Sequence, residues 1–315
     1  MKHNTKITTI LISMFIITQL IGLFVVSTYI NGLELPYGVE PPKEVTQQPR
    51  GPEIIVAFVI AVILFFLLIK IKAEMFIRLW YFVVTILALA LAFKPILILF
   101  FADKLIEMNL FSLKIYTLSL VSFMLALPLS YIKIFKRHLV THNLTELLIY
   151  PGIAAVFIPL LNVFWIVILL LLISLYDIWA VWHSEFMQKM AKFQINNLKF
   201  FTGFFVPYAD KKEKMKINLI RDKYAKNPNL MEKEFKKAKI KINLAILGGG
   251  DIIFPIITAG LFYKFLGILP ALIIIASATI ALLFLFILAK KGKFYPAMPF
   301  ISIGMYLGMI ISWMI

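Results

Sequence analysis

The sequence contains no cysteine and few charged residues. None of the 315 residues is Cys, which excludes disulfides, a thiolate nucleophile and Cys-based zinc or iron–sulfur sites. Only 15% of the residues are charged and 62% are hydrophobic, with a mean hydropathy of +0.93. A soluble core cannot hide that much apolar surface. The apolar runs are continuous rather than alternating, which excludes a closed β-barrel. We therefore predict an all-α polytopic membrane protein.

Nine apolar segments of about twenty residues are long enough to cross a bilayer. They cover residues 7–30, 53–69, 76–101, 110–131, 144–161, 163–182, 242–263, 267–289 and 295–314. The first is too long for a signal peptide and lacks a small-x-small cleavage site. The spans predict an N-terminal bundle of six (1–182), a basic loop (183–241) and a C-terminal bundle of three (242–315).

Acidic residues are half as numerous as basic ones, 16 against 32. Residues 183–241 hold fifteen Lys/Arg and six Asp/Glu, a net charge of +9. A basic loop beside a membrane is typical of contact with anionic headgroups and cytoplasmic retention. No nucleic-acid module is visible, so we predict the lipid bilayer as the partner, and no nucleic acid. Basic and non-basic connections alternate, which predicts a cytoplasmic N-terminus and an external C-terminus.

Histidine is also scarce. The four are His3, His138, His142 and His183. The i,i+4 spacing of His138 and His142 would suit two metal ligands on one helix face. We interpret both as interfacial residues, because they lie beside Lys136 and Arg137 without an evident acidic neighbour. No metal site and no cofactor is predicted.

Two acids interrupt apolar spans, Asp177 in the sixth and Asp251 in the seventh. A carboxylate at membrane depth costs several kcal/mol, so it faces the bundle interior and usually serves function. With a helical rise of 1.5 Å per residue, Asp177 lies roughly 8 Å and Asp251 roughly 13 Å from the cytoplasmic edge. We therefore expect the two carboxyls to meet. The alternative for each is an acid that serves only as interhelical glue.

Two neighbouring features lie at the same predicted depth. Gly248-Gly249-Gly250 precedes Asp251, and small residues permit close helix approach or local unwinding. We expect Gly250→Leu to be more damaging than Gly249→Leu. Pro296-Ala297-Met298-Pro299 opens the ninth span, and its prolines predict an irregular start that membranes tolerate only against protein or water. An ordinary helix N-terminus is the alternative.

These motifs together resemble the intramembrane aspartyl proteases of the presenilin and signal-peptide-peptidase family. The family carries Tyr-Asp, Gly-x-Gly-Asp and Pro-Ala-Leu in spans six, seven and nine. Here they read Tyr176-Asp177, Gly248-Gly249-Gly250-Asp251 and Pro296-Ala297-Met298; Met for Leu is the one departure. The small size resembles archaeal presenilin homologues. The orientation resembles presenilins, whereas Ile252 to Pro255 resembles signal peptide peptidases.

The resemblance implies an intramembrane endopeptidase that cuts transmembrane-helix substrates with Asp177 and Asp251. Two close carboxyls share one proton, so one activates a water and the other polarises the scissile carbonyl. Tyr176 either hydrogen-bonds near this dyad or packs in the bundle. A prepilin-peptidase-like protease and, in another class, a proton- or cation-coupled transporter stay open, as does a homo-oligomer.

Two further expectations concern the substrate. Its helix must unwind near the dyad, and its freed backbone groups then need partners. We predict that Pro296, Ala297, Met298 and Pro299 supply them by pairing with an extended substrate strand. The aromatic residues near 200–208 are predicted to lie on the membrane surface, and the 183–241 loop is expected to stay uncut.

Overall fold

A computed structural model describes most of the chain, and the structural statements below concern that part. The described residues are 5–39, 51–71, 73–101, 107–110, 113–136, 138–183, 202–209, 211–224, 230, 234–235, 238, 243–289 and 295–315.

Nine apolar helices in the described residues correspond to the nine predicted spans. In chain order, with the polar helix α7 included, they are α1 (Thr5–Ile30), α2 (Gly51–Lys70), α3 (Glu74–Phe101), α4 (Thr117–Tyr131), α5 (Leu139–Phe157), α6 (Val163–Trp182), α7 (Lys211–Tyr224), α8 (Gly249–Leu266), α9 (Ile268–Leu288) and α10 (Met298–Met314). A π-helical turn, Ile132–Lys136, extends α4, and a 3₁₀ turn, Ile158–Leu160, extends α5. Seven of the described helices are long and apolar enough to cross a membrane.

Two short hairpins accompany the helices of the all-α fold. Strands β1 (Glu107–Leu110) and β2 (Leu113–Tyr116) pair before α4, and β2 lies in residues assigned to the fourth span. Strands β3 (Gly203–Tyr208) and β4 (Asn243–Gly248) pair antiparallel, from Gly203 opposite Gly248 to Tyr208 opposite Asn243. Helix α8, the seventh predicted span, therefore begins seven residues later than predicted. The residues before it, Asn243–Gly248, pair with a strand from the basic loop.

The bundle has two hydrophobic cores. The larger lies among α1, α5, α6, α8, α9 and α10 and includes the inner faces of β3 and β4. The smaller joins α3, α4 and α5. Helix α5 contributes to both, and its Gly152 lies against the backbone of Ala88 in α3, where a β-carbon would collide with a carbonyl. This approach seats α5 between the cores, while large apolar side chains on the outer faces stay exposed, as a lipid-facing surface requires.

The aromatic surface patch predicted near residues 200–208 is corrected at Phe204. Phe204 is fully buried, and its ring contacts the ring of Tyr150 on α5 at a centroid distance of 6.2 Å. Pairing with β4 turns this face of β3 into the core. Phe200 and Phe201 lie outside the described residues.

Candidate active site

Asp177 lies on an unbroken helix. Helix α6 begins after Asn162, whose side-chain oxygen accepts a hydrogen bond from the Trp165 N–H at 2.9 Å, as N-cap residues do. Asp177 shares the inner face of α6 with Ser174 and Ile173, and all three are buried. The helical period therefore turns the carboxyl into the bundle, as the sequence predicted.

Asp251 lies in a different local structure, the first turn of α8. Strand β4 ends at Gly248, which is also the N-cap of α8. The Gly248 backbone N–H donates to the Asp251 carboxyl, and an acidic residue in the first turn suits the positive end of a helix. The helical rise assumed in the depth estimate for Asp251 does not apply to Asn243–Gly248, because these residues form β4.

Asp177 and Asp251 lie on neighbouring helices of the bundle. Asp251 interacts electrostatically with Asp177, and α6 packs against α8. Two carboxyls that lie close together disfavour double ionisation and share one proton. This arrangement can activate a water molecule with one carboxyl while the other donates a proton.

The Pro296–Pro299 segment lies beside Asp177. The Met298 backbone N–H donates to Asp177 Oδ2 at 3.0 Å, and the Ala297 N–H also donates to this carboxyl. Helix α10 already begins at Met298, with Pro299 in its first turn, where the missing N–H has no cost. The irregular stretch predicted over all four residues is therefore shorter. The N–H groups expected to be free for a substrate are bound to Asp177.

The motif glycines differ in their surroundings. A β-carbon on Gly249 would lie 2.8 Å from the Tyr150 hydroxyl oxygen, whereas one on Gly250 would meet nothing closer than 4.0 Å. A β-carbon on Gly248 would lie 3.1 Å from the Asp251 carboxyl. The packing reason given for ranking Gly250 above Gly249 is therefore wrong. Gly249 is the glycine that close packing requires.

Tyr176 is partly buried next to Asp177. Its ring packs against Trp179 at a centroid distance of 6.3 Å. This contact favours the packing interpretation, because it orients the ring along the helix.

Sequence reasoning missed a third buried acid. Glu146 is fully buried within α5 and pairs with the ammonium group of Lys133. His142 is also buried, with Nε2 3.7 Å from Glu146 Oε1, so the expectation that it has no acidic neighbour is wrong. His138 is exposed and caps α5. The predicted span began at residue 144; a start at 139 would have placed Glu146 well inside it.

Gln19 on α1 is a second missed residue. Its side-chain amide nitrogen donates to the Ile252 carbonyl at 2.9 Å, and the residue is fully buried. The amide thereby ties α1 to the first turn of α8, one residue after Asp251. The available signal was that Gln19 is the only amide side chain within the apolar helix α1.

Comparisons with known proteins agree with this geometry. The family profile described as signal-peptide peptidase, presenilin aspartyl protease matches residues 12–315. A presenilin family intramembrane aspartate protease crystallised in space group C222 has a similar fold, with a TM-score of 0.60 and 15% identity over 98% of each chain. A structure with the same description in space group P2 gives 0.56 and 16% over 96% of each chain. No curated protein gives a significant match.

The family profile covers nearly the whole chain, including both acids and the segment before α10. The chain is therefore an intramembrane hydrolase that belongs to the signal-peptide peptidase and presenilin family of aspartyl proteases.

Proposed function

We propose that Asp177 and Asp251 are the catalytic dyad and that it cleaves peptide bonds within or near transmembrane helices. The observation that carries the proposal is the electrostatic interaction between the two carboxyls, which come from α6 and α8, two helices that pack against each other. The third buried acid, Glu146, is paired with Lys133. One carboxylate removes a proton from water as the water attacks the scissile carbonyl. The protonated partner polarises that carbonyl, and a proton then passes to the leaving nitrogen.

Purified protein in liposomes with a single-span peptide substrate tests this dyad. We expect Asp177→Asn and Asp251→Asn each to abolish cleavage while leaving thermal stability near that of the wild type, because amides keep the carboxyl shape. Glu213→Gln on the polar helix α7 is the matched control and should cleave normally. Cleavage by either aspartate variant would refute the dyad. Wild-type proteolysis is also the result that a transporter would fail to give.

We infer that the substrate strand pairs with β4 rather than with Pro296–Pro299. The outer edge of β3 is occupied: the Asn143 amide donates to the Phe205 carbonyl at 2.8 Å and accepts from the Phe205 N–H at 3.0 Å. The Phe205 backbone thus points away from β4, so its partner Ile246 directs its own N–H and carbonyl outward. In the described part of the chain, this outer edge of β4 has no strand beside it. Leu244 and Ile246 lie on the face of β4 that points away from the core, and both are exposed.

The variant Ile246→Pro removes the outward N–H and leaves the hydrogen bonds to β3 intact. We expect kcat/KM to fall about five- to tenfold, as the loss of one backbone hydrogen bond of roughly 1 kcal/mol implies. Ile246→Val, which keeps the N–H, is the control. Equal kcat/KM for the two variants would exclude β4 as the substrate edge. Ala297 and Pro299, which stay partly exposed beside Asp177, are proposed to contact the substrate through side chains.

We further propose that the N-terminus and α7 are cytoplasmic and the C-terminus is external, because basic residues concentrate in residues 183–241. The chain has no native Cys, so single cysteines report orientation. An impermeant maleimide applied to intact cells should label Met314→Cys and spare Met215→Cys on α7. The reverse pattern would invert the orientation.

A further inference from the structure

A cluster of polar side chains is buried where α4 and α5 meet. Lys133 comes from the π-helical turn after α4, and Glu146 and His142 from successive turns of α5; all three are buried. Tyr150 continues the same face of α5, four residues after Glu146, and is also buried. Lys133 pairs with Glu146 Oε1, and its ammonium nitrogen lies 6.0 Å from the centre of the Tyr81 ring.

The cluster is poorly suited to a purely stabilising role. A buried ion pair must offset the desolvation of two charges, and apolar residues of similar volume often stabilise as well or better. Within the cluster, the second oxygen of Glu146 and the hydroxyl of Tyr150 are buried without a hydrogen bond of normal length and angle, and they interact only loosely with each other. Unsatisfied buried groups cost free energy.

The contacts of the cluster lead toward the catalytic segment. His142 Nε2, which must donate because its partner is a carbonyl, lies 2.8 Å from the Gly203 oxygen. Gly203 pairs with Gly248 at the end of the hairpin nearest Asp251. About two turns after His142 on α5, the Tyr150 hydroxyl lies against Gly249 and interacts electrostatically with both Glu146 and Asp251. Helix α5 therefore contacts the hairpin at Gly203, which pairs with Gly248, and the start of α8 at Gly249.

We propose that Lys133, Glu146, His142 and Tyr150 form a positioning device for Asp251, and this rests on the proposed dyad. The ion pair fixes the side chain of Glu146 on α5. Glu146 in turn orients the His142 ring toward Gly203, and the Tyr150 ring sets the distance between Gly249 and α5. Asp251, two residues later, is then held at the distance from Asp177 that proton sharing requires. Tyr150 also interacts electrostatically with Asp251, whereas Lys133, Glu146 and His142 act through the backbone of the segment.

The single variant Glu146→Gln leaves a buried ammonium group without its partner and is expected to unfold. The double variant Lys133→Met with Glu146→Leu removes both charges and keeps an apolar core. We expect its Tm to be no lower than that of the wild type, its KM to be unchanged, and its kcat to fall about tenfold or more, since an ångström of misplacement costs up to roughly a hundredfold. Lys94→Met is the matched control. Lys94 is equally buried, but it donates to the Glu34 carbonyl in the connection after α1, and its loss should leave kcat unchanged.

A coupling experiment tests the Tyr150 contact separately. A methyl group on Gly249 would meet the Tyr150 hydroxyl at 2.8 Å and a ring carbon at 2.9 Å. Gly249→Ala should therefore lower kcat, and adding Tyr150→Leu should restore at least part of it, a non-additivity that only contacting residues give. Both experiments include Asp251→Asn. If the wild type cleaves, Asp251→Asn does not, and the double variant Lys133→Met/Glu146→Leu keeps wild-type kcat, the positioning role is wrong and the dyad stands. Equal losses from Gly249→Ala with and without Tyr150→Leu would also overturn it.

Discussion

Asp177 and Asp251 lie on backbone segments of different kinds. Asp177 lies late in an unbroken twenty-residue helix, so its direction follows from local hydrogen bonds. Asp251 follows a strand-to-helix junction, and its place depends on β3, on α5 and on Gln19 of α1. The comparison teaches that the backbone at Asp177 is set by its own helix, although its carboxyl accepts a hydrogen bond from Met298, whereas the backbone at Asp251 depends on distant contacts. Perturbations should therefore cost more on the Asp251 side.

The largest difference is expected from proline placed on each side. Ala245→Pro removes the β4 N–H that faces Val206, so the hairpin should open and kcat should fall about a hundredfold or more by misplacement of Asp251. Val163→Pro lies at the first position of α6 after an extended residue, where proline is tolerated, and should cleave nearly normally. Ala245→Gly, which keeps its N–H, is the control. Similar kcat values for the two proline variants would show that both halves are equally rigid.

The next largest effect concerns the glycines before Asp251. Gly249→Leu should abolish cleavage and lower Tm, because the side chain must displace the buried Tyr150 ring. Gly250→Leu should keep the wild-type Tm, because the space beyond Gly250 is open. Thermal unfolding together with kcat for each variant measures this. A lower Tm for Gly250→Leu than for Gly249→Leu would instead favour the order expected from the sequence.

A smaller effect is expected where α10 meets Asp177. Replacing both Pro296 and Pro299 by Ala leaves the Met298 N–H that donates to Asp177 and a helix that already begins there. The free energy of unfolding should change by less than about 1 kcal/mol, mainly through the unfolded chain, and kcat should change little. Cleavage of helical and pre-extended peptides measures it. A selective loss on the helical peptide would restore a direct role for this segment in opening the substrate.

The smallest effect on kcat should come from the pair of hydroxyl groups one helical turn before Asp177. Ser174 donates to Ser302 at 2.8 Å, joining α6 to α10 one turn before the aspartate. Ser174→Ala together with Ser302→Ala should lower the free energy of unfolding by about 1 kcal/mol, the worth of one neutral hydrogen bond, with kcat unchanged. Denaturant titration in detergent tests this. A large fall in kcat would mean that the contact between Ser174 and Ser302 also positions Asp177.

Local pattern was sufficient wherever a span is one uninterrupted helix. Helix α6 begins and ends at the predicted residues, because its apolar run is bounded by Asn162 and His183. The same pattern gave the wrong structure at β4, because residues Leu244 to Leu247 are as apolar as those of a membrane-spanning helix. Apolar content alone does not distinguish a buried strand from the first turns of a helix.

Glu146 illustrates a second limit of the sequence. A start error of five residues at α5 moved this acid from the interior to the edge of its span. Its partner Lys133 is thirteen residues away, beyond a connection. The pairing depends on how α4 turns into α5, which composition does not encode.

The sequence by itself determined the membrane class, the order of the spans and the three motifs of the family, because these depend on apolar length and residue identity. Only the tertiary structure decided that Asp251 follows a strand, that Met298 donates to Asp177, and that Gly249 rather than Gly250 is crowded. Each of these depends on a contact between residues far apart in the chain. Pairing of that kind is set by the packing of whole helices rather than by any local pattern.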